Sequence, residues 1–144
     1  METRVGEIAD ALPVKVHEGD TLGRALQVML WCRIRHLPVM HDDTLVGVLS
    51  ERDILRRYAD VGRLEGEVLL VGAVMHRNPV TIDVEQDMWT AARLMVDKGI
   101  GCLPVLAGGR LCGLVTRRDL LARVAPPDEV TAGAPSEGPG SAAP

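Results

Sequence analysis

Residues 5–55 align without a gap on residues 71–121, so the chain carries one stretch twice at a constant offset of 66 (71 − 5 = 66). Identical pairs include Gly6/Gly72, Pro13/Pro79, Ala25/Ala91, Met29/Met95, Leu37/Leu103, Pro38/Pro104, Val39/Val105, Gly47/Gly113 and Asp53/Asp119. They fall on turns, apolar faces and one polar pair. A repeat that keeps polar residues in register keeps more than a core. With 144 residues in all, either half alone would bury too little of its surface to be stable, so the repeat predicts two halves sharing one core.

That core is aliphatic: 47% of residues are hydrophobic but only 2% are aromatic, which excludes the stacking platforms of single-stranded nucleic-acid binders. A net charge of −4 argues against a nucleic acid or an anionic membrane as the main partner, since both are bound by clustered Lys and Arg. No apolar run approaches the roughly 18 residues of a spanning helix, and METRVGEIAD lacks the pattern of a signal peptide. The expectation is a cytoplasmic protein. Cys32, Cys102 and Cys112 are odd in number without CxxC spacing, so they read as small core hydrophobes, with neither a disulfide framework nor a metal site.

Each copy spells strand, helix, strand, strand, helix, an α+β pattern. In the first, Val14–Val16 reads as a short strand, and Gly19-Asp20-Thr21 as a turn and N-cap for a helix to about Arg33 with a buried stripe of Leu22, Ala25, Leu26, Met29 and Leu30. Two strands follow around His41-Asp42-Asp43, and a second helix starts after Ser50. The second copy predicts strand 80–83, helix 87–98, strands 102–106 and 111–115, and a helix from about Arg117. Short apolar helices, Val5–Ala9 and Val71–Met75, precede the copies. The division is repeat one at 1–60, a connector at 61–70, repeat two at 71–124 and a disordered tail at 125–144, rich in Pro, Gly, Ala and Ser.

The repeated polar element is Gly47-Val48-Leu49-Ser50-Glu51-Arg52-Asp53 and Gly113-Leu114-Val115-Thr116-Arg117-Arg118-Asp119. One reading is structural: the hydroxyl caps a helix and the Asp complements its dipole. The other is functional. A helix N-terminus with a hydroxyl holds phosphate, a nearby carboxylate accepts both hydroxyls of a ribose, and the Gly lets a ligand approach the backbone. Nothing resembles GxSxG, HExxH or a P-loop, so no enzyme is expected.

With its LPV and hGhhT/S-x-x-D motifs, each copy resembles a cystathionine beta-synthase (CBS) domain, and the tandem resembles a Bateman module. The resemblance covers about residues 1–124 and implies an α/β sandwich of two pseudo-two-fold related repeats with adenosine ligands in the clefts between them. It implies one pocket from Lys15, Ile34, Arg35 and His36 with Leu114, Thr116 and Asp119, and another from Thr81, Ile100, Gly101 and Cys102 with Val48, Ser50 and Asp53. In the first, His36 and Arg35 are candidate phosphate donors.

The function so implied is a regulatory, energy-sensing module without an obligatory cofactor, binding AMP, ADP or ATP and signalling to an effector protein outside this chain. Alternatives are S-adenosylmethionine or another adenosine compound, and a ligand-free scaffold in which the motifs serve only as caps. Lys15, Arg35 and His36 lead us to expect the Asp119 cleft to take the more phosphorylated ligand, since Thr81, Gly101 and Cys102 carry no fixed charge. Apolar residues beyond one narrow helical stripe, Val28, Trp31 and Trp89, predict a homodimer.

Overall fold

The computed structural model describes residues 2–11, 14–61 and 68–125. The middle of the expected connector and the expected tail from Pro126 onward lie outside the described residues. The fold is α+β. The first half runs α1 (Val5–Ile8), β1 (Asp10–Ala11), β2 (Val16–His17), α2 (Leu22–Cys32), β3 (His36–His41), β4 (Thr44–Ser50) and α3 (Glu51–Val61). The second runs from a 3-10 turn (Val71–Ala73) through β5 (His76–Arg77), β6 (Ile82–Asp83), α4 (Met88–Lys98), β7 (Cys102–Ala107) and β8 (Arg110–Thr116) to α5 (Arg117–Val124).

The halves repeat each other down to their helix ends. Thr21 Oγ1 accepts the Arg24 N–H at 3.1 Å and Asp87 Oδ1 the Thr90 N–H at 2.8 Å, capping α2 and α4. Both helices stop at a left-handed residue, Arg33 (φ 56°) and Gly99 (φ 65°). They bury equivalent stripes, Leu22, Ala25, Met29 and Met88, Ala91, Met95, whereas Leu30, expected in the first stripe, is exposed. The first strand of each half is shorter and later than the sequence pattern suggests: only Val16–His17 and Ile82–Asp83 run beside β3 and β7.

The shortening reflects an exchange between the halves. One sheet has the order β2-β3-β4-β5 and the other β1-β8-β7-β6. In each, the outer strand beside β4 or β8 comes from the opposite half: β5 runs antiparallel to β4 (Gly47↔Arg77, Val48↔His76) and β1 antiparallel to β8 (Ala11↔Gly113, Asp10↔Leu114). The exchange continues upstream, where the Val5 N–H donates to Gln86 O at 2.7 Å and the Val71 N–H to Asp20 O at 2.8 Å. Leu70, placed in the connector by its sequence, bridges Thr21 just as Arg4 bridges Asp87.

The single shared core is thereby corrected to two. Val16, Leu22, Ala25, Met29, Leu37, Val39, Leu49 and Ile54 form one apolar cluster, completed by Val71 and Met75 of the second half. Ile82, Met88, Ala91, Met95, Leu103, Val105, Val115 and Leu120 form the other, completed by Val5 of the first. Each helix stripe finds a sheet face within its own half, and the exchanged segment closes the remaining side. Neither half is self-sufficient. The cysteines divide differently from expectation: Cys102 is buried, Cys112 half-buried and Cys32 exposed at the end of α2.

Candidate functional site

Each β4–α3 and β8–α5 junction ends a strand and starts a helix within one residue, and the first free N–H groups need acceptors. Ser50 and Thr116 supply them. The Ser50 N–H donates to Asp53 Oδ2 at 2.9 Å and the Asp53 N–H to Ser50 Oγ at 3.0 Å; the Thr116 N–H donates to Asp119 Oδ2 at 2.8 Å and the Asp119 N–H to Thr116 Oγ1 at 3.2 Å. These are capping boxes with Asp in place of Glu. Capping thus accounts for the hydroxyl and for one carboxylate oxygen of each Asp, and leaves Oδ1 over.

The motif glycines have a role other than the expected ligand approach. A Cβ on Gly47 would lie 2.6 Å from His76 O, and one on Gly113 2.7 Å from Asp10 O. The backbone that comes close is the exchanged strand.

Strand pairing sets His36 opposite Ser50 and Cys102 opposite Thr116. Burial pushes the His36 imidazole down from its usual value; Asp53 opposes this, while Arg117, Arg35 and Arg52 add to it. The shift disfavours the charged form of the ring, the form that would make the stronger bond to phosphate. Burial, aided by the Asp119 charge, pushes the Cys102 thiol up to about 12. Arg117 lies over Gly101, where a Cβ would sit 2.5 Å from Nη2. Its charge also reaches His36, which joins the two halves electrostatically.

The remaining candidates differ in exposure. Ile34 and Ile100 pack against their own clusters, Leu114 is buried, Val48 is half-buried, and Lys15 and Arg35 are exposed. Thr81 lines a cleft of about 440 Å³ with Asn78, Pro79 and Leu111 of the second half and Thr44 and Leu45 of the first.

Two residues escaped the sequence reading. His76 Nε2 lies 2.8 Å from Asp53 Oδ1, with the Asp53 side chain 7% exposed and that of His76 72% exposed. The offset makes Asp10 the counterpart of His76 (76 − 66 = 10). Burial pushes the Asp10 carboxyl up, and the charge of Asp119 raises it further. One motif carboxylate therefore faces an imidazole and the other faces a carboxylate. Asp10 thus adds a negative group to the cleft in which Lys15, Arg35 and His36 are expected. The signal was present, since His76 and Asp10 align, but no local spacing reveals that their strands change sheets.

The CBS domain family matches residues 5–60 and 71–126. A CBS domain-containing protein of Dictyostelium discoideum is 41% identical over 112 residues, covering 70% of this chain and 77% of that protein. The chain spans only 32% and 42% of the length of two other curated relatives, at 30% and 33% identity. Hypoxic Response Protein I, solved with two coordinated zinc ions, superposes with a TM-score of 0.73 at 30% identity, covering 86% of this chain and all of that one (100%). The CBS domain pair of protein MJ0100, solved with 5'-methylthioadenosine and S-adenosyl-L-methionine, superposes with a TM-score of 0.75 at 25% identity, covering 86% of this chain and 96% of that one. Among the described residues no three His, Cys, Asp or Glu side chains are grouped to hold a metal ion.

Proposed function

This chain belongs to the CBS domain family, and from that premise we propose that its two repeats form a regulatory module that binds an adenine nucleotide, AMP, ADP or ATP, and signals to an effector protein. The observation that carries the reading is the carboxylate oxygen that capping leaves over in each motif, without a side-chain partner at Asp119 among the described residues and held by His76 at Asp53. Capping uses Oδ2 of Asp53 and Asp119, so a ribose hydroxyl takes Oδ1, directly at Asp119 and in place of His76 at Asp53. The N-termini of α3 and α5, with Arg35 and Arg117 beside them, supply N–H groups and positive charge for phosphate. The adenine lies against Lys15, Ile34, Arg35 and His36 in the Asp119 cleft, with Leu114 and Thr116. In the Asp53 cleft it lies against Thr81, Ile100, Gly101 and Cys102, with Val48 and Ser50. The module itself performs no chemistry and works in the cytoplasm.

A second ligand has a specific observation in its favour. Asp10 beside Asp119 suits a cationic adenosine compound such as S-adenosylmethionine better than a phosphate, and the MJ0100 pair was solved with that compound. Native mass spectrometry of the purified protein separates the readings. A co-purified nucleotide supports the first, a sulfonium compound the second. Failure of both to bind on addition leaves the scaffold alternative.

The module works as a homodimer. Leu30 and Val96 are 65% and 79% exposed, and Leu55 and Leu121 are 61% and 59% exposed; the members of each pair are related by the offset. Trp31 and Trp89 add to these faces at 76% and 58%, whereas Val28 turns toward the first cluster. Each half thus offers the same apolar helical face, and a second copy covers both. A monomeric mass by light scattering at micromolar concentration would remove this part.

A further inference from the structure

We propose that His76 is a latch on the Asp53 site, an inference that rests on the adenosine-binding reading above. The Asp53 carboxylate is nearly enclosed, and both its oxygens are engaged: Oδ2 by the Ser50 N–H at 2.9 Å and Oδ1 by His76 Nε2 at 2.8 Å. A ribose offers two hydroxyls, each needing an acceptor. The cap cannot be given up without freeing a helix-terminal N–H, so the oxygen a ligand takes is the one His76 holds. The imidazole is 72% exposed, so it finds water when it swings into solvent, and the ribose hydroxyl takes its place on Oδ1. A ligand at Asp53 therefore displaces His76 first.

The counterpart site carries no such latch. Asp10 stands where His76 would, and a carboxylate beside Asp119 cannot donate a hydrogen bond to it unless protonated. Among the described residues no side chain bonds Asp119 Oδ1. The two sites thus differ in readiness: Asp119 is open and Asp53 is closed by a residue of the other half.

The latch also connects the halves. His76 lies on β5, whose pairing with β4 continues to the Asn78 N–H, 3.3 Å from Val46 O. Asn78 has φ 53° and leads into Thr81 on the wall of the 440 Å³ cleft.

Calorimetry with AMP and with adenosine tests this. The Asp119→Ala background isolates the Asp53 site, and His76→Ala and His76→Gln are added to it, with folding checked by circular dichroism. One ordinary hydrogen bond keeps the carboxylate engaged most of the time, so His76→Ala tightens binding roughly fivefold. His76→Gln keeps a donor amide and stays near the parent value. On the Asp53→Ala background, His76→Ala changes nothing. Unchanged or weaker binding in Asp119→Ala/His76→Ala overturns the latch, weaker binding marking His76 as a direct ligand contact. If the unmodified protein binds at Asp119 yet His76→Ala has no effect, the latch alone falls; if no adenosine compound binds any of these proteins, the functional reading fails and takes the latch with it.

Discussion

Gly47→Ala measures how much the fold depends on the exchanged strand. An added methyl would lie 2.6 Å from His76 O and 2.6 Å from Met75 Sδ. The methionine tail yields easily. The carbonyl does not, because it belongs to β5, held against β4 by Gly47↔Arg77 and Val48↔His76. Overpacking of this kind costs roughly 1–3 kcal/mol, while replacing glycine in a strand returns about 0.5–1 kcal/mol. The net centres on about 1 kcal/mol of destabilisation, which at ordinary slopes lowers a urea midpoint by roughly 0.5 M. Gly113→Ala meets Asp10 O at 2.7 Å and shifts the same way. Gly23→Ala is the control: in the first turn of α2 its nearest neighbour is Thr21 Oγ1 at 3.9 Å, so it stabilises, by at most about 1 kcal/mol. A Gly47→Ala protein as stable as the parent would refute the close strand approach.

Asp53→Ala destabilises more than Asp119→Ala in urea titrations, because both lose a cap of about 1 kcal/mol but only Asp53 also loses a bond to His76, and only Asp119 sheds repulsion with Asp10; the reverse order contradicts the electrostatic picture. The Asp10 carboxyl is raised above its usual 3.8, so its contribution to stability is fully present below that value and is lost as pH rises through the folded value. Asp10→Asn accordingly gains stability over the parent at pH 7, the gain fading below pH 3.8, as thermal unfolding at several pH values checks. With Cys102 buried and its thiol pushed up to about 12, iodoacetamide at pH ~8 labels exposed Cys32 and spares Cys102 until the protein unfolds, as peptide mass spectrometry reads directly.

Helices and hairpins were legible because their signals are local. Thr21 as a cap, the Met29 and Met95 stripes and the hairpin turn at Asp42 follow from side-chain chemistry within a few residues. The exchange was not legible, because a two-residue strand carries no pattern that says which sheet it joins. Gly47 and Gly113 announce a close approach, yet a ligand and a backbone demand the same glycine. The candidate site divides in the same way. Asp53 and Asp119 stand out as a repeated pair, but His76 and Asp10 acquire meaning only once β5 and β1 cross. The downward shift of His36 was equally hidden, since it depends on how deeply the ring is buried.

The most direct test of the account is thermal unfolding of the parent and of Asp53→Ala/Asp119→Ala, each with AMP, ATP and S-adenosylmethionine. A ligand at about 100 times its Kd adds roughly 2.7 kcal/mol to the parent, a shift of several degrees, and the account predicts that the double variant loses it. A parent protein unmoved by all three, or a double variant that shifts as far as the parent, would contradict the claim that these two carboxylates hold an adenosine ligand.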